Sequence, residues 1–185
     1  MSSRSQVKLS AALAREIVQP NRRIDADRVA ADYAGCSAAR RSVELVSEQN
    51  KRLMREITDI IWNRQELDRI PEFYAPDFVG DYRPYGFREG HAGVRAMVEG
   101  AWRAFPDYHE EVHELIAEGD RVVLHLTISG TQLGQWGPLP PTGKRAEFDE
   151  IVILRIRDGK VVGQRGVVDN LSALRQLGVV PTPPS

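Results

Sequence analysis

The sequence holds a single cysteine, Cys36, so no disulfide can close within one chain and a zinc site built on cysteine thiolates is excluded. It also lacks an excess of charge, with 25 lysines and arginines well mixed among 26 aspartates and glutamates. That balance gives neither the basic footprint of a nucleic-acid binder nor a polybasic patch for anionic lipid. No apolar run approaches the ~20 residues of a membrane span. The opening stretch, MSSRSQVKLSAALAREIVQP, carries charges where a secretory signal needs an uninterrupted apolar segment, and Glu16 with Pro20-Asn21 argues against a transit peptide. The expected location is cytoplasmic. Lysine is scarce, 4 against 21 arginines, a bias that fits a GC-rich genome and says little about chemistry.

What remains is a 185-residue chain with a 42% hydrophobic fraction, enough for one cored domain with something attached. Residues 1–45 are Ala/Arg/Ser-rich. Leu9, Leu13, Ile17 and Val18 fall at helical spacing before Pro20, and a weak second helix is expected from Asp25 to Ala34, ending near Gly35. This segment reads as an N-terminal arm, helical and packed on the main domain or a partner subunit, or partly disordered. From Val43 the pattern sharpens: Val46, Leu53, Ile57, Ile60 and Ile61 make one helical face running to about Asn63. A short helix with Leu67, Ile70 and Phe73 stops before Pro76. An extended piece leads into a Pro/Gly loop, and residues 89–105 are helical up to Pro106.

The rest reads as β. RVVLHLTISGTQ (121–132) is rich in β-branched residues, and two later strands are joined by Asp158-Gly159, a strong hairpin signal. A short helix and the Pro-rich tail 179–185 close the chain. Helices first and an antiparallel sheet second is an α+β order. The domain is therefore expected over 46–178.

Residues 109–113, HEEVH, match H-E-x-x-H, in which two histidines one helical turn apart bind zinc and the glutamate acts as base. Asp107 as cap and Glu110 in a capping box would support a helix. Yet Tyr108, Val112 and Ile116 also share one face of a strand, and on a strand residues four apart lie about 13 Å from each other, too far to share one ion. No metal is therefore expected at this motif.

Five segments carry a family resemblance: FYAPDFVG (73–80), REGHAGVRAMVEGAWRAFPDY (88–108), LIAEGDRVVLHLTISGTQLG (115–134), PPTGKRAEF (140–148), and RIRDGKVV through VVDNLSALRQLG (155–178). In this order the stretch from about Glu48 to Gly178 resembles the SnoaL-like polyketide cyclases, or ester cyclases, of the nuclear-transport-factor-2-like superfamily. The resemblance implies a cone-shaped, curved antiparallel sheet wrapped around N-terminal helices with one apolar pocket, and a homodimer formed through the open sheet face. It places residues 108–118 in a strand. It implies cofactor-independent, intramolecular aldol-type ring closure of a small hydrophobic polyketide ester, one carboxyl group removing and returning a proton. The matching position is Asp169, at the end of the last long strand.

On Asp169 the competing role is the helix N-cap, for which Asn170 is an adjacent candidate. Alternation puts Arg165, Val167 and Asp169 on one strand face, the Arg nominally ~13 Å from the Asp. The chain departs from many members at Gly163-Gln164-Arg165, where they carry Glu-His-aromatic, and at Val152, where they carry an acid. Tyr82, Tyr85 and Trp136, in loops near the expected mouth, and His125, facing pocket or dimer, complete the candidate substrate contacts. His91 is expected in solvent, and Trp62 and Trp102 in the core. The rival readings are an epoxide hydrolase or other cofactor-free isomerase or hydrolase, with Asp149 or Glu150 as second acid, and a non-catalytic ligand-binding dimer.

Overall fold

The computed structural model describes residues 26–82 and 86–181, with side chains from Ser42 onward. The first predicted helix (around Leu9 to Val18), Tyr85 and residues 182–185 lie outside the described residues. The chain divides into two units, residues 1–41 and 42–185, and the second is the subject below. Among the described residues no helix is long and apolar enough to cross a membrane.

Helix α1 (Ala26–Ile57) is continuous where the sequence suggested a break near Gly35. One glycine costs a helix only about 1 kcal/mol, too little to stop a run with no proline in it. Met54 and Ile57 are buried, and the helix then widens into a π-helical turn, Thr58–Asn63, that buries Thr58, Ile60 and Ile61. A 3-10 turn (Leu67–Arg69) and the one-turn helix α2 (Ile70–Phe73) lead directly into strand β1 (Tyr74–Asp81). Strand β2 (Phe87–Glu89) pairs with β1 and feeds helix α3 (Gly90–Ala104), whose buried side carries Val94, Val98 and Ala104.

Four long strands follow: β3 (His109–Glu118), β4 (Arg121–Thr131), β5 (Arg145–Arg157) and β6 (Lys160–Val168). The curved six-stranded sheet has the order β2-β1-β6-β5-β4-β3. It is antiparallel except that β1 runs parallel to β6. Asp158 and Gly159 both adopt positive φ (53° and 71°), the two-residue turn geometry that matches the twist of paired strands.

Burial on the long strands follows the two-residue pleat. On β5, Ala146, Phe148, Glu150, Val152, Leu154 and Ile156 all face inward and are buried. On β4 the buried set is Val122, Leu124, Leu126, Ile128 and Gly130. A register shift between Val112 and Glu114 breaks the period on β3. Beyond it Leu115 and Ala117 are half-buried while Ile116 is exposed, so Ile116 does not share the inner face with Tyr108 as simple alternation suggested.

The long β4–β5 connection is pinned by Gln132, which is fully buried. Its amide nitrogen donates to the carbonyls of Gly134 (2.8 Å) and Pro140 (3.2 Å), and its amide oxygen accepts from the Thr142 N–H (2.9 Å) and hydroxyl (2.7 Å). Removing that side chain leaves these four loop hydrogen bonds unmade. Gln132→Leu should lower unfolding free energy by about 2–4 kcal/mol, seen as an earlier urea midpoint at constant slope.

Candidate active site

The inner face of the sheet, the end of α1, the π turn and α3 enclose a cavity of about 530 Å³, within the usual range for small-molecule sites. Much of its wall is apolar: Met54, Ile57, Trp62, Met97, Leu124, Leu126, Trp136, Val152 and Val168 among others. Into this wall the pleat inserts two carboxylic acids, Glu110 from β3 and Glu150 from β5.

Both sit where only apolar neighbours would be expected. Glu150 is buried between Phe148 and Val152 on the inner side of β5, and burial pushes its pKa up to about 7. The neighbouring strand makes room for it: a Cβ on Gly166 would lie 2.8 Å from the Glu150 Oε1. Glu110 is also buried, and burial raises its pKa to about 8, helped by the nearby Glu150 and opposed by hydrogen bonds from Tyr108 and Thr58. The Tyr108 hydroxyl donates to the Glu110 Oε1 at 2.7 Å. Asn63, at the end of the π turn, clamps the Glu110 backbone: its amide nitrogen donates to the Glu110 carbonyl (3.0 Å), and its amide oxygen accepts from the Glu110 N–H (2.8 Å).

The cavity also holds Tyr74, Tyr82 and Gln164. The Gln164 amide nitrogen donates to the Tyr82 hydroxyl, and the Gln164 amide oxygen is buried with no partner among the described residues. Arg88 and Arg103 line the same space. At neutral pH a half-ionised Glu150 and a largely protonated Glu110 can accept and donate a proton within one apolar chamber.

Of the residues singled out in the sequence, Tyr82 and Trp136 line the cavity. Trp136 packs against Phe105 and Phe148, ring centroids 5.5 and 5.9 Å away. Trp62 and Trp102 are half-buried against the core, joined by a 2.8 Å hydrogen bond from the Trp102 indole to the Trp62 carbonyl. His91, expected in solvent, donates to the Tyr74 carbonyl at 2.8 Å.

Arg165, Val167, His125 and Asp169 are not brought into the cavity, and the pocket expectation for them is corrected. The strand face that Arg165 and Val167 share is the outer one; both are exposed, Val167 at 77%. His125 is on the outer side of β4, 3.5 Å from Asp149, whose carboxyl also accepts from Thr127 (2.7 Å). Asp169 is exposed and is itself the N-cap of the last helix, α4 (Asn170–Gln176). It accepts from the Ser172 N–H (2.9 Å) and hydroxyl (2.6 Å), and these bonds hold its pKa below the ordinary carboxylate range. The helix thus begins one residue earlier than an Asn170 cap would have it. Alternation likewise separates Asp149, which faces out, from Glu150, which faces in.

His109 and His113 lie on β3 and not on one helical turn, so HEEVH is not a zinc-binding pair; among the described residues no acidic and imidazole cluster could hold a metal. Glu110 was visible only as part of that motif. The signal for Glu150 was a charged residue on the apolar side of a period-two strand, A-x-F-x-E-x-V-x-L.

The two raised acids make stability pH-dependent. Each folded-state pKa lies above its unfolded value of ~4.3, so no penalty exists below that value. As pH rises toward 8 the unfolded chain releases protons that the folded chain keeps, and stability falls. The melting temperature should therefore decline from about pH 5 to pH 8, and the double variant Glu110→Gln/Glu150→Gln should flatten this decline in a scanning-fluorimetry series.

The sequence and the fold have counterparts among known proteins. The model of the SnoaL-like polyketide cyclases matches residues 51–177. The chain is 30% identical over 122 residues to nogalonic acid methyl ester cyclase of Streptomyces nogalater, covering 63% of this chain and 89% of that protein. It is 36% identical over 127 residues to aklanonic acid methyl ester cyclase DnrD of Streptomyces peucetius, covering 66% and 87%. Among solved structures, AclR of Streptomyces galilaeus, a candidate hydroxylase, superposes with a TM-score of 0.64 at 34% identity over 75% of this chain and 85% of that one. TsrD of Streptomyces laurentii superposes with a TM-score of 0.65 at 25% identity, over 72% and 97%. With a family model spanning more than half its length and a nuclear-transport-factor-2-like sheet around its cavity, the chain belongs to the SnoaL-like polyketide cyclases.

Proposed function

We propose that the protein is a cofactor-independent cyclase that closes a ring in a small hydrophobic polyketide ester by an intramolecular aldol step, with Glu150 as general base and Glu110 as general acid. The observation that carries this reading is Glu150: a carboxyl group on a cavity wall, held near neutrality by burial. Its carboxylate takes a proton from a carbon flanked by carbonyls. That carbon then attacks a ketone of the same molecule, and the new alkoxide takes a proton from Glu110. An acid and a base with pKa values near the working pH suit both transfers. The apolar walls hold a flexible chain in a folded, reactive shape, which supplies much of the barrier reduction. The named activities of the two Streptomyces methyl ester cyclases support the same reaction class.

Asp169 is the rival carrier of the proton transfer, the position the family resemblance indicated. Its exposure and its engagement by Ser172 weigh against it. On an anthraquinone-type β-keto ester, Glu150→Gln should lower kcat by about 10²–10⁴-fold, and Asp169→Asn should leave it nearly unchanged. A comparable loss in Asp169→Asn would return the role to Asp169.

One observation favours a second reading. Two inward acids can also add water to a strained ring such as an epoxide, Glu150 deprotonating the water and Glu110 protonating the ring oxygen. Turnover in ¹⁸O-water separates the two, since only hydrolysis places solvent oxygen on carbon.

We place a homodimer contact on the outer sheet face, where Ile116, Ile151 and Val167 are exposed and His125 stands opposite Ile151 across the β4–β5 pair. Ile151→Lys should convert a dimer to a monomer in light scattering after size exclusion.

A further inference from the structure

Three tyrosines stand near the two acids, Tyr74 and Tyr108 buried and Tyr82 half-buried, and their hydroxyls are used differently. Tyr108 spends its proton on Glu110. The Tyr82 oxygen accepts from the Gln164 amide. The Tyr74 hydroxyl is buried with no hydrogen-bond partner among the described residues. The indole N–H of Trp62 acts on its oxygen from outside hydrogen-bond geometry, and an indole offers no lone pair. What Tyr74 lacks is therefore an acceptor for its proton. Buried polar groups in native proteins are almost always paired, so an unpaired hydroxyl on a residue that lines the cavity calls for a partner that arrives from outside.

The residue is also held in place. Tyr74 begins β1, directly after α2, and its carbonyl accepts from His91 at 2.8 Å. Its ring stands edge-on to Phe78, 5.2 Å between centroids at 86°. It shares the cavity wall with Glu150 and feels that group's charge. Fixed donors aimed where charge develops are the form of stabilisation that costs no reorganisation during the reaction.

We propose that the Tyr74 hydroxyl donates a hydrogen bond to the substrate carbonyl oxygen that becomes negative when the adjacent carbon loses its proton. This rests on the proton abstraction proposed above and adds the group that receives the resulting charge. In the step, the C–H pair of electrons moves into the new C=C bond and the carbonyl π pair moves onto oxygen. The proton goes to Glu150, and Tyr74 keeps its own proton while bonding the enolate oxygen.

The test needs no turnover, so its failure is separate from failure of the cyclase reading, which the Glu150 variant decides. The full-length protein is titrated with 9-fluorenone, a rigid aromatic ketone, and with fluorene, which lacks the oxygen. Wild type should prefer the ketone by about tenfold, and Tyr74→Phe should erase the preference. The carbonyl stretch of bound fluorenone should lie at lower frequency in wild type than in Tyr74→Phe, a shift that packing alone would not produce. The variant should melt at the same temperature as wild type or higher, because it removes an unpaired buried hydroxyl. No ketone preference in wild type, a preference that survives in Tyr74→Phe, an unmoved stretch, or a lower melting temperature would each overturn the assignment.

Discussion

The two-residue pleat of β3 to β6 is the constraint on which the rest of this protein depends. Once Leu124, Leu126, Val152 and Leu154 are committed to the core, the other side chains of β4 and β5 have their side chosen for them. Glu150 is carried inward by the register that buries Phe148 and Val152. Arg165 and Val167 are carried outward by the register that turns Gln164 and Val168 in. The chemistry of the cavity is thus a by-product of strand registry, corrected locally by the β3 irregularity after Val112.

Burying two carboxylic acids works against folding, and the structure offsets it unequally. Glu110 has partners: hydrogen bonds from Tyr108 and Thr58 favour its carboxylate and offset part of the desolvation cost, while Asn63 clamps its backbone. Glu150 has burial alone as the cause of its shift. Local conflicts of this kind, a charge set in an apolar strand face, concentrate at functional sites.

The architecture was legible because its signals are local. The Asp158-Gly159 turn, the β-branched runs and the helix before Pro106 need only their own neighbourhoods to be read. The site was less so. Asp169 and Asn170 are both good N-caps, and one residue of difference decides whether a carboxyl is spent on the Ser172 backbone or left free. The β3 register shift has no local marker, so Ile116 was placed on the wrong face. Glu150 was readable from alternation, but only after its strand's inner face is known. The partner set of Tyr74 joins β1, the π turn and α3, segments distant in sequence, and no spacing rule brings them together.

The bare backbone of Gly166 beside the Glu150 carboxyl ties two positions sixteen residues apart into one chemical choice. A side chain at 166 would crowd the tip of the Glu150 side chain, so a change there is felt at the acid. Gly166 stands opposite Val152, one inward position along from Glu150, and its bare backbone is part of the room the acid occupies. A relative in which both positions have drifted together would keep the architecture and lose this buried acid.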